Sequence, residues 1–231
     1  MQLTLRQATE YLDVDEGTLR RWIKQRGLPV HVVNERMHLN AIELWEWATE
    51  NGVPVSKRLL EQERRSPEAV PPLSAMLEAG GVHHDVEGRD RSSVLREMVR
   101  RLPLPPEVDR EFLSAVIEAR EAMGSTGIGD GIAIPHVRNP ILLKVAEPRV
   151  TLCLLRHPIE FEAVDGRPVH ALFTVISPTV PGHLRILAQL GFLLHDAELK
   201  SLLEARATAP RILARIRELE AAAPAGTRSR P

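Results

Sequence analysis

One cysteine in 231 residues, Cys153, excludes an intrachain disulfide. A fold stapled by cross-links is therefore ruled out, and a reducing compartment fits. Cys153 sits in the apolar run Val150–Leu155, where a small buried hydrophobe is expected rather than a reactive thiol. Aromatic residues make up only 3% of the chain, so Leu, Ile, Val and Ala must fill the core. An excess of one charge is also missing, with 30 Lys and Arg against 31 Asp and Glu. Overall charge thus singles out neither nucleic acid nor a membrane surface as partner. No stretch approaches the roughly 18 uncharged apolar residues that span a bilayer. Met1–Arg6 lacks a basic segment leading into an apolar one, so no signal peptide is expected there. A cytoplasmic protein without a membrane partner is the expectation.

The composition that is present divides the chain. Residues 56–72 are dense in charge and end in proline, from Lys57-Arg58 through Glu61–Arg65 to Pro71-Pro72. Prolines make a poor helix interior, so this stretch reads as a linker. It separates a small module, residues 1–55, from a larger domain, residues 73–220. Residues 221–231 are small, polar and proline-bearing, and are expected to be a disordered tail.

In the small module Thr4 is placed as an N-cap before Leu5, Ala8, Tyr11 and Leu12 at helical spacing. Asp15 caps a second helix carrying Leu19, Trp22 and Ile23 on one face, and Gly27 closes it as a left-handed cap. Val30–Val33 and Met37–Leu39 read as two short strands around a turn. Asn40 then opens a third helix with Ile42, Leu44, Trp45 and Trp47. This order resembles the winged helix-turn-helix of excisionase and MerR-type DNA-binding modules. The resemblance implies that the second helix enters the major groove, with Thr18, Arg20, Arg21 and Lys24 as contacts, and that Arg36 meets phosphate or minor groove. Asp15 and Glu16 at the leading end of that helix repel phosphate, and residues 1–66 carry no basic excess. Since affinity for DNA depends on phosphate neutralisation, a module for protein contact or dimerisation stays open as the alternative.

In the larger domain, helical and extended patterns alternate, which is the signature of an α/β layered fold with a mixed sheet. Asp90 caps a helix through Val94, Leu95, Met98 and Val99. Pro105-Pro106 opens another, with Val108, Phe112, Val116 and Ile117 on one face, ending near Arg120. Strands follow at Val150–Leu155 and Val169–Ile176, then helices through Leu184–Leu194, Leu199–Leu203 and Ile212–Leu219. The informative stretch runs from Arg120-Glu121 through Gly124-Ser125-Thr126-Gly127-Ile128-Gly129 to Gly131-Ile132-Ala133-Ile134-Pro135-His136. Four glycines in eight residues allow positive φ and close backbone approach to a ligand. The apolar run 132–134 puts His136 at a strand end. Neutral imidazole is nucleophilic at pH 7 without the strong base that serine requires. Backbone N–H groups and a guanidinium can hold phosphoryl oxygens, and Arg120 and Arg138 are nearest in sequence.

This stretch resembles the active-site region of fructose/mannitol-type enzyme IIA domains of the sugar phosphotransferase system, the nitrogen-regulatory members included. The resemblance covers residues 73–220 and includes a second feature, His183–Leu190. It implies a mixed five-stranded sheet flanked by helices. It implies further that His136 is phosphorylated at Nε2, that Arg120 orients the phosphoryl group and that His183 lies beside it. Ser125, Thr126 and Gly127 would shape the phosphate pocket. The implied donor is the phosphocarrier HPr and the implied acceptor a IIB domain or a regulated protein, with neither nucleotide nor metal needed. No carboxylate or cysteine joins the two histidines at zinc-ligand spacing. The loop has neither a nucleophile elbow nor a Walker lysine. Three functions stay open: a regulatory phosphocarrier, a sugar-uptake IIA subunit, and an unphosphorylated IIA-like regulator that binds DNA or protein. A homodimer fits the first and third.

Overall fold

The computed structural model describes residues 2–33, 36–53, 70–137 and 145–222, and the chain divides into two compact units, 1–67 and 68–231. Most of the expected linker (56–69), the tail (223–231) and Arg138 lie outside the described residues.

In the first unit β1 (Gln2–Thr4), β2 (His31–Val33) and β3 (Arg36–Asn40) form an antiparallel sheet in the order β1-β3-β2. Helices α1 (Leu5–Leu12), α2 (Glu16–Gln25) and α3 (Ala41–Glu50) accompany it. Thr4 starts α1 with a capping box: its hydroxyl accepts from Gln7 N, and the Gln7 side chain answers the Thr4 amide. Asp15 caps α2, accepting from Thr18 N at 2.8 Å and Thr18 Oγ1 at 2.9 Å. Gly27, at φ +66°, takes the left-handed turn just past α2. Trp22 and Trp47 pack at 5.2 Å between centroids, and the Arg26 guanidinium lies over both rings, at 5.6 and 5.3 Å. Trp47 Nε1 donates to Arg26 O, so the indole is satisfied where it is buried. Strand β1 is too short to leave a period-2 pattern in the sequence.

The second unit holds a five-stranded mixed sheet in the order β4-β7-β8-β6-β5. Its strands are β4 (Val82–Val86), β5 (Gly127–Gly129), β6 (Ile132–Ala133), β7 (Arg149–Ile159) and β8 (Val169–Ile176). The pairs β4–β7 and β6–β8 are parallel, while β7–β8 and β5–β6 are antiparallel. Helices α5 (Arg91–Arg101) and α6 (Arg110–Glu121) cover one face. Val94, Met98, Leu113 and Ile117 meet Cys153, Leu155, Phe161 and Leu172 there. Helices α4 (Leu73–Gly80), α7 (Val180–Leu193) and α8 (Ala197–Glu204) pack against the sheet as well, and α9 (Ala209–Ala222) rests on α4 and α8. With helices on both faces, Val150–Leu155 of β7 and Ala171–Ile176 of β8 are buried throughout rather than alternating. Cys153 is fully buried, and burial pushes its thiol up to about 12, so it packs as a small hydrophobe. Among the described residues no helix is long and apolar enough to cross a membrane.

One expected helix is displaced. Pro105-Pro106 does not open α6. The helix begins at Arg110, where the Asp109 carboxylate accepts from Glu111 N and Phe112 N, both at 3.0 Å. Arg110 reaches back to the last carbonyls of α5, Val99 O at 2.6 Å and Leu102 O at 3.0 Å. The buried stripe is set by Leu113, Ile117, Arg120 and Glu121. Phe112 lies about 100° round the helix from Leu113, and it is 60% exposed instead of facing the core.

The last helices are locked by charge. Asp196 caps α8 through Leu199 N at 2.8 Å and takes a fork from Arg215 Nε and Nη2 at 3.0 and 2.8 Å. The Arg215 guanidinium is the main reason its carboxyl lies below the ordinary value of 3.8. A carboxylate with a depressed folded pKa stabilises the fold above its unfolded pKa and stops doing so as pH falls through the folded one. Asp196→Asn keeps a capping oxygen but loses the charge. Wild type should therefore lose more denaturant resistance between about pH 6 and about pH 3 than the variant does, read as midpoints from circular dichroism.

Candidate functional site

The carboxyl end of α6, the β5–β6 hairpin and the amino end of α7 bring together residues that are distant in sequence. Helix α6 ends in two buried charged residues, Arg120 at 6% and Glu121 at 2% exposure. Each clasps the chain that follows. Arg120 Nη1 donates to Gly124 O at 2.7 Å. The Glu121 carboxylate accepts from Thr126 N and Thr126 Oγ1, both at 2.7 Å. Between them Ser125 Oγ donates to Phe161 O at 2.5 Å and accepts from Gly127 N at 3.0 Å. The hydroxyls of Ser125 and Thr126 therefore hold the loop in shape.

The glycines divide their work differently from the sequence expectation. Gly129, Asp130 and Gly131 all have positive φ (97°, 53° and 73°) and make the tip of the β5–β6 hairpin. The loop that flanks His136 is at the opposite, open end, where Ile134 N donates to Thr126 O at 3.0 Å. Gly127 serves close packing: a Cβ there would lie 2.7 Å from Ala163 Cβ and 2.8 Å from Ala163 Cα. Backbone freedom in this stretch therefore builds the hairpin that carries the site.

Strand β6 lies between β5 and β8, and the chain leaves it through Ile134 and Pro135 to His136. The ring is 2% exposed, and its Nδ1 lies 2.7 Å from Ile134 O. A carbonyl only accepts, so Nδ1 is the donor, and in the neutral ring Nε2 is the nitrogen with the lone pair. His183 is fully buried in the first turn of α7. The two imidazole centroids are 5.1 Å apart and tilted by 46°. Thr179 caps that helix through Gly182 N at 3.2 Å. A side chain on Gly182 would crowd Ser177 Oγ and Thr179 Oγ1, both 3.0 Å from its Cβ position. The first-turn N–H groups and the helix dipole favour negative charge at this end.

The structure thus juxtaposes His136 and His183, and places Arg120 at the end of α6, Ser125 and Thr126 on the loop that follows, and Gly127 at the start of the same hairpin. Arg138 lies outside the described residues. Two contributors had received no role. Glu121 carried a signal as the second member of the Arg-Glu pair, and Thr179 carried one as a threonine just before a proline-bearing helix start. Among the described residues no group of three or more His, Cys, Asp or Glu is placed to hold a metal ion.

In the first unit the expected DNA contacts lie on α2, with Thr18 half-buried and Arg20, Arg21 and Lys24 exposed. Thr18 is engaged by Asp15. Arg20 is paired with Glu16 at 2.7 Å, and Arg21 Nη2 donates to Thr18 Oγ1 at 3.4 Å. Arg36 opens β3 opposite Val33 in the hairpin register.

Comparison with known proteins gives a consistent result for the second unit. The family model described as "Phosphoenolpyruvate-dependent sugar phosphotransferase system, EIIA 2" matches residues 75–219. The nitrogen regulatory protein of Pseudomonas aeruginosa is 34% identical over 140 residues, covering 59% of this chain and 89% of that protein. The fructose-specific EIIABC component of Bacillus subtilis is 31% identical over 137 residues, which are 58% of this chain but only 21% of its own length. The crystal structure of nitrogen regulatory protein IIA-Ntr from Neisseria meningitidis superposes with a TM-score of 0.54 at 26% identity, over 62% of this chain and 97% of that one.

Gly127→Ala should destabilise the second unit by about 1–3 kcal/mol, because the added methyl meets the Ala163 backbone, which cannot yield as a side chain can. Chemical denaturation monitored on the isolated full chain checks it, and an unchanged midpoint would contradict the packing described.

Proposed function

Since the chain belongs to the EIIA type 2 family of the phosphoenolpyruvate-dependent sugar phosphotransferase system, we propose that it is a phosphohistidine carrier acting in regulation. Nε2 of His136 attacks the phosphorus of a donor phosphohistidine on an HPr-like protein. The donor P–N bond breaks, the His136 Nε2–P bond forms, and the donor imidazole leaves with the electron pair. The observation that carries this reading is the bond from His136 Nδ1 to Ile134 O, which in the neutral ring leaves Nε2 as the nucleophilic nitrogen. Arg120 orients the phosphoryl oxygens and His183 donates to them, at a helix end that favours the added charge. Ser125, Thr126 and Gly127 shape the pocket wall. Because both rings are buried, acceptance needs an opening that brings Nε2 to the donor. Burial in turn keeps water from the phosphorylated ring.

A regulatory setting is supported by the match to a nitrogen regulatory protein, 34% identical and covered over 89% of its length. A phosphoryl group adds nearly two negative charges and so alters what the domain binds. A IIB domain or a regulated protein is the next partner. For the first unit the reading is a winged helix-turn-helix that contacts DNA through α2, with Lys24 exposed on that helix. A homodimer would present two such helices to adjacent half-sites.

Two measurements test these readings. Incubated with phosphoenolpyruvate, enzyme I and HPr, the protein should gain the mass of one phosphoryl group, stable to alkali and labile to acid. His136→Ala should gain none; a wild type that stays unmodified beside an active HPr removes the carrier function. For the first unit, affinity for duplex DNA should fall steeply as salt rises, and Lys24→Ala should lower the slope of log K against log salt by about 1. Salt-independent retention would point to protein contact instead.

A further inference from the structure

We propose that Glu121 is the positioning residue of the phosphoryl site, setting the tautomer and tilt of His136 through Thr126 and Ile134. The inference rests on the carrier reading above and adds to it the device that holds the nucleophile ready. An unbroken path of contacts joins the two side chains. The carboxylate of Glu121 grips Thr126 at both its amide and its hydroxyl, each at 2.7 Å. Thr126 O then accepts from Ile134 N at 3.0 Å. Ile134 O, across the same residue, accepts from His136 Nδ1 at 2.7 Å. Of these links only the first is made by a side chain from another element. The second is backbone to backbone and the third joins a backbone carbonyl to the imidazole itself, so both follow where Thr126 goes.

The energetics favour a role beyond holding the loop. A carboxylate at 2% exposure is costly to bury unless its oxygens are hydrogen-bonded, and both of those on Glu121 are turned on Thr126. The neighbouring clasps, from Arg120 to Gly124 and from Ser125 to Phe161, already tie down the two residues before Thr126. What Glu121 adds is a two-point grip that fixes Thr126 in rotation as well as in place. That rotation aims Thr126 O at Ile134 N, and so fixes where Ile134 O meets the imidazole. If the carbonyl drifts, Nδ1 loses its acceptor, the proton redistributes between the nitrogens, and the fraction of rings with an unprotonated Nε2 falls.

Two mild substitutions separate reach from charge. Glu121→Gln keeps the reach: its Oε1 accepts from Thr126 N, and its amide donates to Thr126 Oγ1. Glu121→Asp keeps the charge but withdraws the carboxylate by one methylene, so it cannot make both bonds. The imidazole nitrogens of the unphosphorylated protein are read by ¹⁵N NMR in wild type and both variants. Initial rates of phosphorylation from phospho-HPr are measured alongside. Wild type and Glu121→Gln should show one tautomer with the proton on Nδ1. Glu121→Asp should show averaged nitrogen shifts and a rate lower by about 10²-fold, the scale of an ångström misplacement of a reacting group. A wild-type tautomer in Glu121→Asp would overturn the proposal. So would a Glu121→Gln that loses the tautomer while Glu121→Asp keeps it, since charge and not reach would then be at work. A wild type that accepts no phosphate would remove the carrier reading alone, because the tautomer comparison needs no phosphoryl transfer.

Discussion

A histidine that is to act as a nucleophile inside packed protein needs an acceptor for the nitrogen that does not react. For His136, the proposed nucleophile, that acceptor is the carbonyl only two residues back, Ile134 O, at 2.7 Å. So short a loop of chain has little freedom to place an imidazole by itself. Pro135 removes one rotation by fixing φ. The rest comes from the pinning of β6 on both sides: Ile132 and Ala133 pair with Ala171 and Leu172 of β8, and the hairpin pairs them with β5. The two-residue strand is therefore the part of the sheet on which the site hangs. Its position is set by β8, whose antiparallel pairing with β7 runs through the buried middle of the unit.

Polarity is concentrated where the apolar frame ends. Arg120, Glu121, Thr126, His136 and His183 are all buried, next to a core of aliphatic side chains. Such a group survives in the interior only when its hydrogen-bonding capacity is met. Glu121 shows how this is done, with both carboxylate oxygens turned on one threonine. Helix α7 adds its own contribution. Thr179 caps it and Gly182 lets the turn sit close, so the helix begins beside the ring pair and its dipole opposes the accumulation of positive charge there.

What could be read in the residues followed the strength of local signals. Thr4, Asp15 and Asp90 are caps whose side chains bond within three residues, and each helix start was legible for that reason. The long run from Arg120 to His136, with His183 beyond it, carried the family resemblance and the mixed five-stranded sheet. Asp109 was passed over because two prolines nearby also favour a helix start, and the competition was decided by Arg110 reaching the end of α5, a tertiary contact. The exposure of Phe112 follows from the same cause, since the stripe that packs is the one centred on Leu113 and Ile117. The glycines were legible as backbone freedom, but which end of the hairpin they serve depends on the pairing of Gly127 with Ala133. The role of Glu121 needed Thr126, five residues away around a bend that periodicity does not report.

Charge in the first unit follows a different logic from charge in the second. At the histidine site Arg120 and Glu121 are buried, each directed at particular atoms of the following loop. On α2 the charges are exposed: Arg20 pairs with Glu16, and Arg21 donates to the Thr18 hydroxyl, which is itself held by Asp15. Exposed pairs of this kind are worth little to stability, typically about 0–1 kcal/mol. They are therefore cheap to open when a stronger anion arrives. A phosphate backbone approaching this helix must separate Arg20 from Glu16, and the freed carboxylate then lies beside the phosphate. On the DNA-binding reading, such a surface would bind weakly as a single copy and gain steeply from two copies held together, because the second contact forms at high effective concentration. For an α2 with this charge pattern, the DNA-binding reading therefore makes assembly state a stronger lever on occupancy than any single side chain on the helix.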